Sequence, residues 1–87
     1  MFIPTEHFKI RFKERFQLDY TDGVGRTLQQ SIINKNSRKI DCRIYNNHKH
    51  FIFYNNKLFN DPIIFSISDD GYFITCINTN IKDKIFN

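Results

Sequence analysis

The sequence predicts one α+β domain in which two N-terminal helices pack on one face of a four-stranded antiparallel β-meander. Its 87 residues match the size of a single domain, residues 1–87. The first part of the chain repeats apolar residues at helical spacing, and the second part alternates them with a period of two. A sheet covered by helices on one side buries both kinds of apolar surface.

Helix one is predicted at about 5–17. Thr5 can cap its first amides, and Phe8, Phe12 and Phe16 recur at every fourth residue. This spacing places the three rings on one stripe that can pack against a sheet.

Helix two is predicted at about 24–35, after a stretch with two glycines and an Asp-Gly pair that interrupts the helical pattern. Val24, Leu28 and Ile32 then resume the helical spacing. We expect these side chains to form the second apolar stripe.

Four strands are predicted after helix two, at about 38–45, 48–54, 62–68 and 72–78. The pairs Asn46-Asn47 and Asn55-Asn56, and the triplet Asp69-Asp70-Gly71, are typical of tight turns. In the first strand, alternation places two sets on opposite sides: Ile40, Cys42 and Ile44 on one, and Lys39, Asp41, Arg43 and Tyr45 on the other.

Several classes of protein are disfavoured by the composition. No apolar run approaches the length of a membrane span, and the first 15 residues already carry many charges, so we expect neither a membrane anchor nor a signal peptide. Cys42 and Cys76 have no metal-type spacing, and we expect both to be buried, reduced thiols of a cytoplasmic protein. No Gly-rich phosphate loop or nucleophile elbow is present, so no cofactor is expected.

Positive charge is concentrated in the first half of the chain. Residues 1–50 contain ten Lys or Arg against five Asp or Glu, whereas residues 51–87 contain three against four. A polyanion is the commonest partner of such a basic surface, although a solvated helix face collects the same residues. RNA or DNA is therefore an expected partner. The strong use of Ile, Asn, Lys, Phe and Tyr, with no Ala or Trp, is typical of an AT-rich bacterial or phage genome.

The densest group of chemically useful side chains lies beside the apolar stripe of helix one. His7, Arg11, Glu14 and Arg15 are brought together by helical spacing. RNA cleavage without a metal needs a base of near-neutral pKa, a cation for the charged phosphorus, and an acid. The alternative is that Arg and Glu form ordinary surface pairs and that His7 only occupies a helix start.

Two segments resemble a known family. HFKIRFKERFQL at 7–18 resembles the opening helix of RelE/ParE-like small proteins, which belong to the barnase, EndoU, colicin and RelE nuclease group. DPIIFSISDDGYFITCIN at 61–78 resembles the closing hairpin of that group. The resemblance implies a helix-on-sheet fold that binds or cleaves RNA without a metal, often as a toxin.

The resemblance also implies roles for individual residues. His7 would be the base or a phosphate ligand, Arg11 and Arg15 would be phosphate cations, and Thr75 would be the hydroxyl residue of the last strand. No second acid is marked opposite His7, and Tyr54, Tyr72 and Lys57 are equal choices.

Other residues are candidates for nucleic-acid contact. Arg43 is included as an additional cation only because it lies on the polar face of the first strand. The full expected set is Lys9, Lys39, Arg43, Lys49 and Tyr54. His48 and His50 form a His-x-His pair that could supply two metal ligands or extend the nucleic-acid surface, but a third ligand is missing and no metal site is predicted.

The favoured function is a metal-independent, toxin-like or phage-encoded endoribonuclease. The alternative is a non-enzymatic phage or mobile-element protein that binds and inhibits a host protein such as a nuclease, polymerase or defence factor. A nucleic-acid-binding repressor or antitoxin-like module is a third possibility. An antitoxin or host protein, or a second copy of the chain in a homodimer, are further possible partners.

Overall fold

The sheet and its two helices share one core in the computed structural model, which describes residues 2–80. The elements in chain order are β1 (Ile3–Pro4), α1 (Glu6–Phe16), α2 (Asp22–Ile33), β2 (Arg38–Tyr45), β3 (His48–Asn55), β4 (Ile63–Ser68) and β5 (Tyr72–Asn78). The predicted α+β class is confirmed. None of the helices within residues 2–80 is long and apolar enough to cross a membrane.

The predicted four-stranded antiparallel sheet is wrong in one detail. The sheet has five strands in the order β1-β5-β4-β3-β2, and β1 runs parallel to β5. Two residues are too few to show a period of two, so the sequence pattern could not reveal β1. Backbone hydrogen bonds from Ile3 to Gly71 and from Thr5 to Phe73 place the chain beside β5 before α1 begins.

Capping fixes where both helices start. The Thr5 hydroxyl accepts a hydrogen bond from the Phe8 amide at 3.1 Å, and the Thr21 hydroxyl accepts one from the Val24 amide at 3.3 Å. Helix α2 therefore begins two residues before the predicted position, because the cap lies before the two glycines.

The core is largely aromatic. Its buried members are Phe8, Phe12, Leu28, Phe53, Ile63, Phe65, Ile67, Phe73 and Cys76. Phe8 and Phe73 lie 5.1 Å apart between ring centroids, and Phe53 stacks on Phe65 at 5.7 Å. Both helices and strands β3, β4 and β5 thus meet in one cluster, and the other face of the sheet is not part of it.

Strand β2 lies outside this core. All eight of its residues are exposed, and Ile44 is 75% exposed. The expectation that Cys42 is buried is therefore wrong, whereas Cys76 is buried. Alternation predicted correctly that Cys42 and Ile44 share a face, but the helices do not reach across to cover it.

Candidate functional site

The His7 side chain lies against the last strand. The hydroxyl of Thr5 is 3.1 Å from the carbonyl oxygens of Phe73 and Ile74, which ties the start of α1 to β5. One residue into the helix, His7 Nε2 lies 3.1 Å from Thr75 Oγ1. The structure therefore brings together two of the four residues expected to act in catalysis.

The two arginines of α1 are already engaged. Arg11 Nη1 donates to Glu14 at 2.6 Å, within one helical turn. Arg15 Nη1 donates to the carbonyl oxygen of Cys76 at 2.5 Å, and the Arg15 carbonyl accepts from Asn78 Nδ2 at 2.8 Å. Arg15 therefore joins the end of α1 to β5, which is a structural use of its charge. Arg11 remains the more available cation.

A second group of polar side chains lies on the open face of the sheet, opposite the helices. Strands β2 and β3 are joined by Asn46 and Asn47, whose φ angles of 50° and 65° match a two-residue hairpin turn. The register then sets Arg43 opposite His50 and Tyr45 opposite His48. Because residues two apart share a face, these four side chains form one cluster, here termed the histidine patch.

His48 is oriented by a carboxylate. His48 Nδ1 lies 2.9 Å from Asp69 Oδ1, and Asp69 Oδ2 accepts the Lys49 amide at 3.0 Å. The hydrogen bond from the Lys49 backbone, followed by the one from His48, lowers the pKa of Asp69. Asp69 thus stays ionised and holds a proton on Nδ1 of His48, which leaves Nε2 as the basic nitrogen of the neutral ring.

The histidine patch borders a groove of about 350 Å³, which lies in the size range of small-molecule sites. The His50 ring lies 5.8 Å from the Tyr45 ring, and Arg43 Nε donates to Asp41 at 2.9 Å. Thr75 also lines this groove, so the His7–Thr75 pair lies at its border. The lining residues are Arg43, Ile44, Tyr45, His50, Ile52, Ser66, Ile74 and Thr75.

The expected nucleic-acid-binding residues do not share one surface. Arg43 and Tyr54 lie on the open face, where Arg38 Cζ is 5.9 Å from the Tyr54 ring centroid. Lys49 lies on the opposite face of β3, as its place between two histidines requires. Lys9 pairs with Glu6 on α1 at 3.5 Å.

Lys39 is a correction to the predicted alternation. A β-bulge between Lys39 and Asp41 shifts the register, so Lys39 pairs with Phe53 and its Nζ lies 5.5 Å from the Phe51 ring centroid. The extra residue of a bulge reverses the face of what precedes it. Lys39 therefore lies on the helix side, away from Arg43.

Among residues 2–80, one group has ligand atoms close enough to hold a metal: His48, Asp69 and Asp70. All three are exposed, and His48 Nε2 lies 3.7 Å from Asp70 Oδ2. His50 is not in the group, so the His-x-His arrangement considered from the sequence is not the one that forms. The Asp69-Asp70-Gly71 segment is a turn, with Gly71 at a φ of 98° and its amide donating to Ser68.

Comparison of the chain with protein-family models, with curated proteins and with solved structures finds no match. The function is therefore inferred from the geometry of the two sites.

Sequence reasoning considered His48 and His50 as a weak ligand pair or as an extension of a nucleic-acid surface, and did not consider them as an acid-base pair. The signal was available in the two-residue Asn-Asn turn. Such a turn fixes the register of a hairpin, and that register alone places Arg43 and Tyr45 opposite the two histidines. The contribution of Asp69 could not be found this way, because it comes from a different hairpin 21 residues farther along.

Proposed function

We propose that the protein is a metal-independent endoribonuclease whose acid-base pair is His48 and His50. The observation that carries the proposal is the histidine patch: two imidazoles on one exposed face, one of them held by Asp69, with a guanidinium beside them. The side chains of residues i and i+2 in a strand are separated by roughly 6–7 Å. That separation suits an acid and a base on either side of one phosphate.

The chemistry assigns each member a task. His48 Nε2 takes the proton of the ribose 2′-hydroxyl, and the 2′-oxygen attacks phosphorus. Protonated His50 donates its proton to the 5′-oxygen as the bond from phosphorus to that oxygen breaks. The products are a 2′,3′-cyclic phosphate and a free 5′-hydroxyl, with no net proton consumed.

Arg43 and Tyr45 complete the proposed site. Arg43 uses Nε to bind Asp41, and its terminal nitrogens supply positive charge to the phosphoryl oxygens in the transition state. The Tyr45 side chain is 64% exposed, and its ring provides a surface on which a base can stack.

His7 takes a different place in this proposal from the one expected from the sequence. Thr75 lies on β5, two strands from β3, which corresponds to about 10 Å across the sheet. His48 and His50, which are two residues apart on β3, are thus closer to each other along the backbone than to Thr75, the partner of His7. We assign His7, Arg11 and Thr75 to a neighbouring phosphate of the same strand of RNA.

The test is an RNA-cleavage time course with and without EDTA. His48→Ala and His50→Ala should each reduce the rate by about 10²-fold or more, the usual contribution of one acid or base. His7→Ala should weaken RNA binding while leaving the rate at saturating RNA within about threefold. Arg43→Ala should also lower the rate, because positive charge beside the phosphoryl oxygens is lost. Arg26→Ala, which removes a cation on α2 outside the groove, is the matched control.

The outcomes distinguish catalysis at His48 and His50 from catalysis at His7. Loss of cleavage in His7→Ala at saturating RNA, with full activity in His50→Ala, would place catalysis at α1 instead. Loss of activity with EDTA would contradict the metal-independent chemistry and direct attention to His48, Asp69 and Asp70. An RNA carrying 2′-deoxyribose at the cleavage position should not be cleaved, because the nucleophile is missing.

Membership of the RelE/ParE-like group and a toxin-like role belong to the same proposal. The order of two helices followed by antiparallel hairpins agrees with the fold that the resemblance implies. Expression of the wild-type chain should arrest bacterial growth, and expression of His50→Ala at the same level should not. Growth arrest by both would favour the alternative of a non-enzymatic inhibitor that binds a host protein, for which the exposed strand β2 offers a surface.

A further inference from the structure

The free edge of β2 is the largest unpaired piece of backbone in the described sheet. β2 is the terminal strand next to β3, and all eight of its residues, Arg38–Tyr45, are exposed. Such an edge presents unpaired N–H and C=O groups to any strand that can align with it. The opposite edge is occupied by β1 for two residues only.

The directions of the backbone groups follow from the hairpin. In a two-residue turn, the flanking residues Tyr45 and His48 exchange hydrogen bonds, and every second residue pair then repeats this. Ile44 and Cys42 therefore direct their N–H and C=O groups away from β3. Two contacts agree: the Lys49 carbonyl, opposite Ile44, accepts the Asp69 amide, and the Cys42 amide donates to the carboxylate of Asp41 at 2.8 Å.

The side chains around Cys42 can pair with those of β2 in a second copy of the chain that runs in the opposite direction. In an antiparallel pair centred on Cys42, each Asp41 lies opposite Arg43 of the other copy. Cys42 lies opposite Cys42 of the other copy, and regular pairing ends at Ile40, which is the extra residue of the β-bulge between Lys39 and Asp41. Opposite charges that face each other across two strands are favourable.

We propose that two copies of this chain associate through antiparallel pairing of their β2 edges, centred on Cys42. The Cys42 amide exchanges the carboxylate of Asp41 for the Cys42 carbonyl of the second copy. Each Asp41 then lies between its own Arg43, at 2.9 Å, and Arg43 of the second copy. The two five-stranded sheets become one, and their open faces become continuous. This inference does not depend on the proposed nuclease activity.

Other registers fit less well. A centre at Arg43 would set the two guanidinium groups directly opposite each other, which is destabilising. A centre at Ile44 pairs two isoleucines but sets Cys42 opposite Asn46, and it sets Asp41 opposite Asn47 in the turn of the second copy. The centre at Cys42 is the one that satisfies both charged residues.

Cysteine cross-linking tests the register directly. Directly opposite residues whose backbones exchange hydrogen bonds have Cα atoms about 5.5 Å apart, within the range that a disulfide spans. Mild oxidation of the wild-type chain should therefore give a covalent dimer, and Cys42→Ser should give none. Cys42→Ser/Ile44→Cys should cross-link at least tenfold more slowly, because position 44 lies two residues from the centre of this register and does not face position 44 of the second copy. Cys76 is buried, with a pKa raised by burial to about 12, and stays unreacted.

Charge reversal tests the pairing in the reduced protein. Sedimentation equilibrium should show a concentration-dependent dimer for the wild-type chain. Asp41→Arg should raise its dissociation constant at least tenfold, and Asp41→Arg/Arg43→Asp should restore it to within about threefold. Arg26→Asp, which alters charge on α2 alone, is the control and should have no effect.

Four results would overturn the proposal. One is a wild-type chain that remains monomeric at millimolar concentration. Another is Ile44→Cys cross-linking faster than Cys42. The third is a dimer whose dissociation constant ignores the reversal of Asp41. Because the first two results involve no charge variant, misfolding of a charge variant would leave both of them decisive. Capture of a host protein on β2 by a chain that does not self-associate would also contradict it.

Discussion

The contact of α1 with β5 and the hairpin of β2 with β3 use similar residues for opposite purposes. In the first region Phe8, Phe12 and Phe73 are fully buried, and side-chain hydrogen bonds tie the helix to the strand at both ends. In the second region an aromatic ring, an arginine and two histidines stand on an open face. Tyr45, at the tip, is 64% exposed.

The difference teaches where this small protein places its stability and where it places its chemistry. An aromatic helix stripe that faces a sheet loses water-exposed area on folding and stabilises the fold. Imidazole and guanidinium groups on an exposed hairpin keep their solvation and their access to a ligand. We therefore expect substitutions in the first region to alter unfolding, and substitutions in the second to alter binding or catalysis.

The largest expected effect is that of Phe12→Ala. Truncation of a fully buried Phe costs about 3–5 kcal/mol, because Phe12 contacts Phe8, Phe16 and Phe59. That cost is a large part of the stability of a small domain, so we expect a variant that is mostly unfolded at 37 °C. Tyr45→Ala is the matched control and should change the free energy of unfolding by less than about 1 kcal/mol. Urea unfolding measures both variants. Equal losses in the free energy of unfolding of Phe12→Ala and Tyr45→Ala would contradict the distinction between the two regions.

A smaller effect is expected at Gly25 in α2. A methyl group there would overlap the Tyr20 hydroxyl and lie 3.2 Å from Tyr20 Cζ. The Tyr20 ring packs edge-on against Phe8, so Gly25→Ala should displace it and cost about 1–3 kcal/mol. Gly23→Ala meets nothing closer than 3.5 Å and should be neutral or stabilise by up to about 1 kcal/mol. Thermal unfolding of the two variants compares them directly, and a stable Gly25→Ala would show that Tyr20 is not part of the rigid core.

The fold was readable from the sequence wherever a repeat was long enough. Phe8, Phe12 and Phe16 marked α1, and the Asn-Asn turn marked the first hairpin. Strand β1 was not predicted, because a strand of two residues is too short to show alternation. Lys39 was assigned to the wrong face, because alternation does not indicate where a bulge occurs.

The candidate site was less readable than the fold. Neighbours on one helix, such as His7 and Arg11, are visible from spacing, but the contact of His7 with Thr75 and that of His48 with Asp69 depend on tertiary structure. Arg15 illustrates the limit: its spacing suggests a phosphate ligand, whereas its guanidinium binds a backbone carbonyl.

Low pH should remove the stability that the Asp61 carboxylate contributes at the end of β5, in the first region. Asp61 accepts hydrogen bonds from Asn78 and Asn80, which lower its pKa. A carboxyl whose pKa is lower in the folded state contributes stability above its unfolded pKa of about 3.9 and loses it as the pH falls through the folded value. Asp61→Asn should therefore be less stable than the wild type at pH 7, with the difference vanishing near pH 2. A difference in stability that persists at pH 2 would show that the stabilisation does not depend on ionisation of the Asp61 carboxyl.

The smallest effect on global stability is expected at the tip of the hairpin. Asn47 holds a φ of 65°, a conformation that glycine adopts without strain, so Asn47→Gly should change the free energy of unfolding by less than about 0.5 kcal/mol. If the hairpin opens separately from the core, hydrogen exchange at Arg43 and His50 will respond to this substitution while exchange at the buried amide of Phe65 will not. Since local openings have lower free energies than global unfolding, a parallel change at all three amides would mean that the hairpin and the core unfold as one unit.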